Sequence, residues 1–284
     1  MQVLHIKGTL LSAMLFVSLS ARAQHHQFGF SAGAGMGGLH YKMNGQDSKL
    51  KPAVNFGLTY TFVYKSGWGL HTGIGAGFFR TNSPPAGNSS YTSNAVDSEG
   101  EAFEFRVHQN SYSETQRMYT LDIPLMLQWQ TPESSAPRFY VRSGVKLMLP
   151  VKSGFSASAG EMSTTGFYPS YNVELANLPQ FGFGSQSHWS GKGDADLKPV
   201  LALAAEAGAT FTICKSRLLY AGAYIDYGLN DMNKEGLSRP LLEYSINGFA
   251  SSKPNGLLSL PETGRVRFIS YGIRLQYAFS ASSH

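Results

Sequence analysis

Cysteine is nearly missing from this chain: Cys214 is the single thiol in 284 residues. No disulfide can form within the chain, so a small secreted scaffold held by cross-links is excluded. One thiol also gives no Cys/His ligand spacing, so neither a metal nor any other cofactor is expected. Charge is scarce as well, at 14 % of residues. Setting aside Lys7 and Arg22 near the N-terminus leaves 21 of the 23 basic residues against 18 acidic, a net charge of +3. That balance does not call for a nucleic-acid partner. Beyond residue 24 no apolar run approaches the ~20 residues of a membrane-spanning helix. A mean hydropathy of −0.16 leaves a soluble periplasmic or secreted protein open until the pattern is read.

The first 23 residues set the compartment. Lys7 opens a weakly basic start, an apolar run covers 9–19, and Ala21-Arg22-Ala23 places small residues where signal peptidase cuts. The run is too short for a spanning helix, so 1–23 is predicted to be a signal peptide and 24–284 the mature domain.

What is present in abundance is alternation. In 53–65, Val54, Phe56, Leu58, Tyr60, Phe62 and Tyr64 share one side, while Asn55, Gly57, Thr59 and Thr61 share the other. Strict period two over this length means a strand with one apolar face, long enough for the ~9–11 residues of a tilted bilayer-crossing strand. The segment from Trp68 to Phe78 repeats the pattern with Gly69, Gly73, Gly75 and Gly77 on its small side. Glycines weaken a soluble strand, but inside a narrow barrel they make room for bulky neighbours. The same period runs through 27–41, 116–130, 138–151, 197–213, 217–230 and 264–280, which makes eight strands.

The connections alternate in length. Ser66-Gly67, 131–137 and 214–216 are short, whereas 42–51, 82–115, 152–196 and 231–263 are long. This sorting is the mark of outer-membrane barrels, with short periplasmic turns and long extracellular loops. Tyr64, Trp68, Trp129, Phe139, Phe211, Tyr277 and Phe279 collect near the short-turn ends on the apolar side, as an interfacial girdle does. The predicted fold is therefore all-β: an eight-stranded antiparallel up-and-down transmembrane barrel in the outer membrane, with both termini periplasmic. Its surroundings would be outer-membrane lipid and lipopolysaccharide.

The segments YTLDIPLMLQW (from Tyr119), GVKLMLP (from Gly144) and LYAGAYIDYGLND (from Leu219) carry a resemblance. They resemble the outer-membrane β-barrel family of the Bacteroidota, which includes PorT-like and OmpA-like transmembrane barrels. The resemblance implies barrel construction rather than an activity. With the last strand at 264–280, a C-terminal peptidoglycan-binding domain is not expected; PorT-like membership would make the partner a secretion machine.

On the inward parity lie Asp122, Arg142, Lys146, Glu206, Asp226 and Arg274. Buried charges persist when paired and hydrogen-bonded, so these six are expected to form an ion-pair cluster that fills the lumen, Asp122, Glu206 and Asp226 facing the three cations. A gated ion path through the same cluster is the alternative. For an enzyme, His71, His108 and His188 are the candidate bases, but none sits in a recognisable motif, and no catalytic residue is assigned. The loop 82–115 carries Asp97, Glu99, Glu101, Glu104 and Glu114 against Arg106, a net −4 that reads as a solvated face. Phe103 and Phe105 alternate with charges there, so the hairpin is expected to extend above the membrane. In 152–196, Phe181, Phe183 and Trp189 stand among small residues, as an interaction surface or as a lid on the barrel mouth. Three functions stay open: an interaction protein working through its loops, a small pore or secretion component, and a lipid-modifying enzyme.

Overall fold

A computed structural model describes residues 25–282 apart from 44–45, 65, 85–86, 133–134, 136, 215 and 235–238. The expected signal peptide lies outside the described residues. The strands are β1 (His25–His40), β2 (Lys42–Met43), β3 (Gln46–Asp47), β4 (Lys49–Val63), β5 (Trp68–Asn82), β6 (Ser89–Val96) and β7 (Ala102–Asn110). Then follow β8 (Ser113–Gln130), β9 (Arg138–Tyr168), β10 (Val173–Leu175), β11 (Ser185–Asp194), β12 (Val200–Cys214), β13 (Arg217–Gly228) and β14 (Arg267–Ser282).

The described residues thus hold fourteen strands, not eight, and twelve of them belong to one sheet. Within that sheet β1, β4, β5, β8, β9, β12, β13 and β14 each pair antiparallel with the next, and β14 pairs back to β1. The cycle closes without a free edge, which satisfies every inter-strand backbone group at membrane depth. The links β4–β5, β8–β9 and β12–β13 are short and fall at one end, beside the start of β1 and the end of β14.

Alternation builds the wall. Phe28, Phe30, Phe56, Leu58, Ile74, Leu125, Leu127, Ile225 and Ile273 are all exposed outward, while their neighbours in sequence face the lumen. Glycine meets glycine across strands at Gly35↔Gly272, Gly57↔Gly75 and Gly208↔Gly222. At Gly222 a Cβ would collide with the Tyr140 hydroxyl, so this gap holds a lumen ring.

The strands run past the ring at the long-loop end, and here the predicted boundaries fall short. β8 begins at Ser113 rather than 116, and β9 continues to Tyr168, 31 residues in all, where 152–196 reads as loop. Above the point where β12 leaves it at Met148, β9 takes β11 and then β10 on that edge, and β7 on the other, with β6 outside β7. The segment 152–168 is rich in Ser, Gly, Ala and Thr, without the bulky alternation that marks a bilayer face, which is why sequence reading ends the strand early. The extension has a core of its own: Phe103, Phe105, Val107, Tyr112, Phe155, Met162, Phe183 and Trp189, closed by Leu241, Leu242, Phe249 and Leu257 from the connection between β13 and β14.

Candidate functional site

Two places concentrate chemistry: the barrel lumen and the far end of the extension. In the lumen, β9 and β12 run opposed with Arg142 across from Glu206, while β13 and β14 contribute Asp226, opposite Ser270, and Arg274, opposite Gly222. Arg142 is fully buried at 0 % exposure. Its guanidinium donates to Gln128 Oε1 at 2.7 Å, Gln276 Oε1 at 2.6 Å and Glu206 Oε1 at 3.2 Å. The Tyr140 and Tyr220 rings, edge to face with each other at 5.0 Å, both lie against it, with centroids 4.8 and 4.9 Å away. Glu206 also accepts from Arg274 at 2.7 Å and from the Tyr140 hydroxyl at 2.7 Å. Arg274 reaches Asn55 at 3.3 Å, and Asn55 donates to the Tyr224 hydroxyl at 2.9 Å. Lys146 pairs with Asp226 at 2.5 Å.

Five of the six predicted lumen charges are therefore within ion-pair distance of a partner. The sixth, Asp122, is buried on the same wall but makes no ion pair among the described residues, a correction to the predicted cluster. Among the described residues its Oδ1 has no hydrogen-bond partner, and the residue borders a cavity of about 40 Å³ shared with Thr59, His71, Lys146 and Arg274. The reason is room: Gly57 and Gly75 leave the β4–β5 wall bare there, so no side chain fills the space between Asp122 and the cations. A polar cavity of this size accommodates ordered water.

Above this polar belt the lumen turns apolar. Leu39, Phe79, Met118, Met148, Val200, Met232, Leu258, Val266 and Phe268 pack together as a plug, with Phe79 edge-on to Phe268 at 4.8 Å. Of these, Phe79, Met118, Met148, Val200 and Phe268 stand on the inward parity of their strands toward the long-loop end. The signal available in β8 was Met118, an apolar residue on the inward parity toward the long-loop end.

Glu114, expected among the solvated loop charges, is instead buried beneath the extension. It accepts hydrogen bonds from the Tyr112 hydroxyl (2.8 Å), Gln116 Nε2 (2.8 Å) and the backbone N–H of Leu257 (2.9 Å). Burial pushes its carboxyl above the usual range, and the three donors pull it back only in part. Extending the inward parity of β8 by one step, from Gln116 to Glu114, would have found it.

The residues expected to form a girdle stand near the strand ends as follows. Trp68 stands opposite Trp129 in the β5–β8 register, Tyr277 meets Phe279 edge-on at 5.0 Å, and Trp68, Trp129, Phe139, Phe211 and Phe279 are exposed at the short-turn end. Tyr64 sits in the β4–β5 turn. Of the candidate bases, His71 is buried against Thr61 Oγ1 at 2.7 Å. His108 bonds Ser90 Oγ at 2.7 Å on the exposed β6–β7 hairpin, with no carboxylate hydrogen-bonded to its ring among the described residues. A triad's orienting member is missing from that pair.

The loop aromatics divide. Phe183 (1 % exposed) and Trp189 (7 %) are core residues of the extension, not a contact surface, because their rings fill the space over Gly166 and Gly191. Phe181 alone stays open, at 52 %. It lines a hollow of about 490 Å³ at the tip, together with Tyr168, Tyr171, Tyr244 and the carboxylate-bearing Asp97, Glu99 and Glu101.

Comparison with known proteins adds the following. No curated protein matches the chain. Among solved structures, it is similar to the outer membrane protein OprG from Pseudomonas aeruginosa at 13 % identity, covering 92 % of this chain and 98 % of that one with a TM-score of 0.37. It is also similar to Neisserial surface protein A (10 % identity, 89 % and 95 % covered, TM-score 0.32). A third is Ail, the attachment invasion locus protein of Yersinia pestis, crystallised with a heparin analogue (12 % identity, 90 % and 99 % covered, TM-score 0.28). The family model described as outer membrane protein beta-barrel domain matches residues 20–234, most of the chain. With its closed antiparallel ring and outward apolar band, this chain belongs to the outer-membrane β-barrel domain family.

Proposed function

We propose that this protein is a sealed outer-membrane barrel that acts through its extracellular β-extension rather than by conducting solutes. The observation that carries the reading is the doubly closed lumen: Arg142 buried among Gln128, Glu206, Gln276 and two tyrosine rings, beneath an apolar plug that includes Phe79, Met148 and Phe268. An ion crossing this path would have to displace charge-assisted bonds and then enter a stretch without polar partners. Eight ring strands leave an interior that side chains fill. The short turns and termini face the periplasm in this proposal, and the girdle at Trp68 and Trp129 marks the inner interface. The leader at 1–23 directs export, and lipid and lipopolysaccharide surround the wall. The finer placement near PorT-like and OmpA-like barrels of the Bacteroidota belongs to the same proposal and rests on the three quoted segments.

A pore is the second reading, favoured by one observation: the cavity of about 40 Å³ beside Asp122 and Lys146 shows that the polar belt is not packed throughout. Single-channel recording of the refolded barrel in planar bilayers separates the two, with heat-modifiable gel mobility as the proof of folding. A folded but silent barrel supports the sealed reading. Steady discrete openings that shift on Asp226→Asn or Arg274→Gln would sink it.

A further inference from the structure

The hollow at the tip is assembled from three stretches that lie far apart in sequence. The β6–β7 turn contributes Asp97, Glu99 and Glu101; the end of β9 and the strand β10 contribute Tyr168, Tyr171, Val173 and Leu175. The turn around Pro179–Phe181 and the β13–β14 connection add Phe181, Phe183 and Tyr244. At about 490 Å³ the hollow falls within the range of small-molecule pockets.

Its floor is a set of interlocked rings. Phe103 stacks on Tyr168 at 5.1 Å and meets Phe183 and Tyr244 edge-on at 5.5 and 5.0 Å. Tyr171 (65 % exposed) and Phe181 leave ring faces open to solvent at the wall. Among the described residues that line the hollow, three are carboxylates and none is Lys, Arg or His. The nearest basic side chain in the β6–β7 hairpin, Arg106, is already paired with Glu104 at 2.7 Å.

The arrangement is fixed before any ligand arrives. Asp97 Oδ1 accepts the N–H groups of Glu99 and Glu101 at 2.9 Å each, and Oδ2 accepts the Tyr168 hydroxyl at 3.0 Å. These bonds hold the Asp97 carboxyl below its ordinary pKa, so its charge persists. Tyr171 donates to Glu101 at 3.3 Å. Asn172 and Asn177, on either side of β10, adopt left-handed φ values of 49° and 57° that pin the wall's two turns. Gly182, at φ 88°, leaves the space that the Tyr244 ring occupies, where a Cβ would lie 2.7 Å from it. The hydroxyls of Tyr168 and Tyr171 are spent on carboxylates, while the Glu99 side chain makes no hydrogen bond among the described residues of the wall.

Open ring faces attract cations, and carboxylates beside them raise that preference and repel anions. We propose that this hollow binds a small organic ammonium ion, its apolar body against Phe181, Tyr171 and Tyr244 and its charge facing Glu99 and Glu101. The proposal rests on the reading that the barrel works through its extracellular face, and it names the ligand class of that face.

The test uses the full mature chain refolded in detergent micelles, with choline and its uncharged isostere 3,3-dimethylbutan-1-ol as probes, titrated by calorimetry and saturation-transfer NMR. Choline should bind about tenfold more tightly than the isostere. Glu99→Gln with Glu101→Gln should cut that preference severalfold while Phe181→Ala weakens both ligands, and Glu104→Gln, outside the hollow, should change neither. Equal affinities in the wild type, no binding of either probe, or a preference that the double substitution leaves undiminished would each overturn the proposal. Unchanged heat-modifiable mobility shows that a variant has folded. A silent barrel without choline preference defeats only this proposal, whereas a conducting barrel that prefers choline defeats only the sealed-lumen reading.

Discussion

Arg142→Met is the most informative perturbation of the lumen. Methionine keeps much of the volume beside Tyr140 and Tyr220 and makes favourable contacts with their rings, but it ends three hydrogen bonds. Charge-assisted bonds contribute about 1.5–3 kcal/mol each, so the gross loss is several kcal/mol. Two facts reduce it. Glu206 keeps Arg274 and the Tyr140 hydroxyl, each at 2.7 Å, so its charge is not stranded. Arg142 Nη2 has no partner, so some of the desolvation cost is already borne by the wild type. The net should lie at the lower end of the range for removing one member of a buried pair, about 3 kcal/mol, or roughly a hundredfold in the folding equilibrium. Guanidinium titration of the barrel in phospholipid vesicles, followed by tryptophan fluorescence, measures it. Arg142→Lys, which keeps the charge without the planar fork, should fall between the two. The variant should also stay electrically silent, since the plug of Phe79, Met118, Met148 and Phe268 is untouched. A cost below about 1 kcal/mol, or steady openings from Arg142→Met alone, would refute the picture of two independent seals.

Leu58 is an outward residue in mid-strand, opposite Phe30 and Ile74, so Leu58→Arg should destabilise the inserted barrel by about 2–4 kcal/mol. Trp68→Arg, at the strand end, should cost no more than about 1 kcal/mol; vesicle refolding equilibria compare them, and equal costs would deny the assigned membrane depth. Burial raises the Glu114 carboxyl above its unfolded value of 4.5, so the folded state holds the proton more tightly than the unfolded one. Docking of the β13–β14 connection should therefore strengthen as pH falls through the folded pKa and level off below 4.5. Limited proteolysis of that connection should slow in acid for the wild type and lose this dependence in Glu114→Gln; parallel pH profiles for the two would contradict the assignment.

Much of the wall was legible because a bilayer imposes period two more strictly than a soluble core does. Phe56, Leu58, Tyr60 and Phe62 had to share a face, and the short turns at Ser66-Gly67 and 214–216 fixed which ends meet. The charges of the lumen could be found by parity, since Arg142, Glu206 and Arg274 stand where small and polar residues otherwise alternate. Their pairing could not, because it depends on which strands lie opposite across the interior and on gaps such as the one beside Asp122. The extension was the least legible part. β9 beyond Val151 has water on one side and its own core on the other, so its small polar residues satisfy the sheet without writing an apolar stripe. Trp189 and Phe183 then look exposed in a linear reading, because their partners Tyr112, Phe103 and Tyr244 come from other loops.

The unbroken course of β9 makes the extension a mast rather than a tether. Its residues 152–168 at about 3.3 Å each trace a path of roughly 55 Å, or on the order of 40 Å of height at a tilt near 45°. The ring cluster at Tyr168 is thus carried well clear of the lipid headgroups, on hydrogen bonds continuous with the wall itself. A pull or a docking event at the tip is borne by the same backbone ladder that spans the bilayer, so the barrel serves as a footing whose stability sets how firmly that distant surface is held in place.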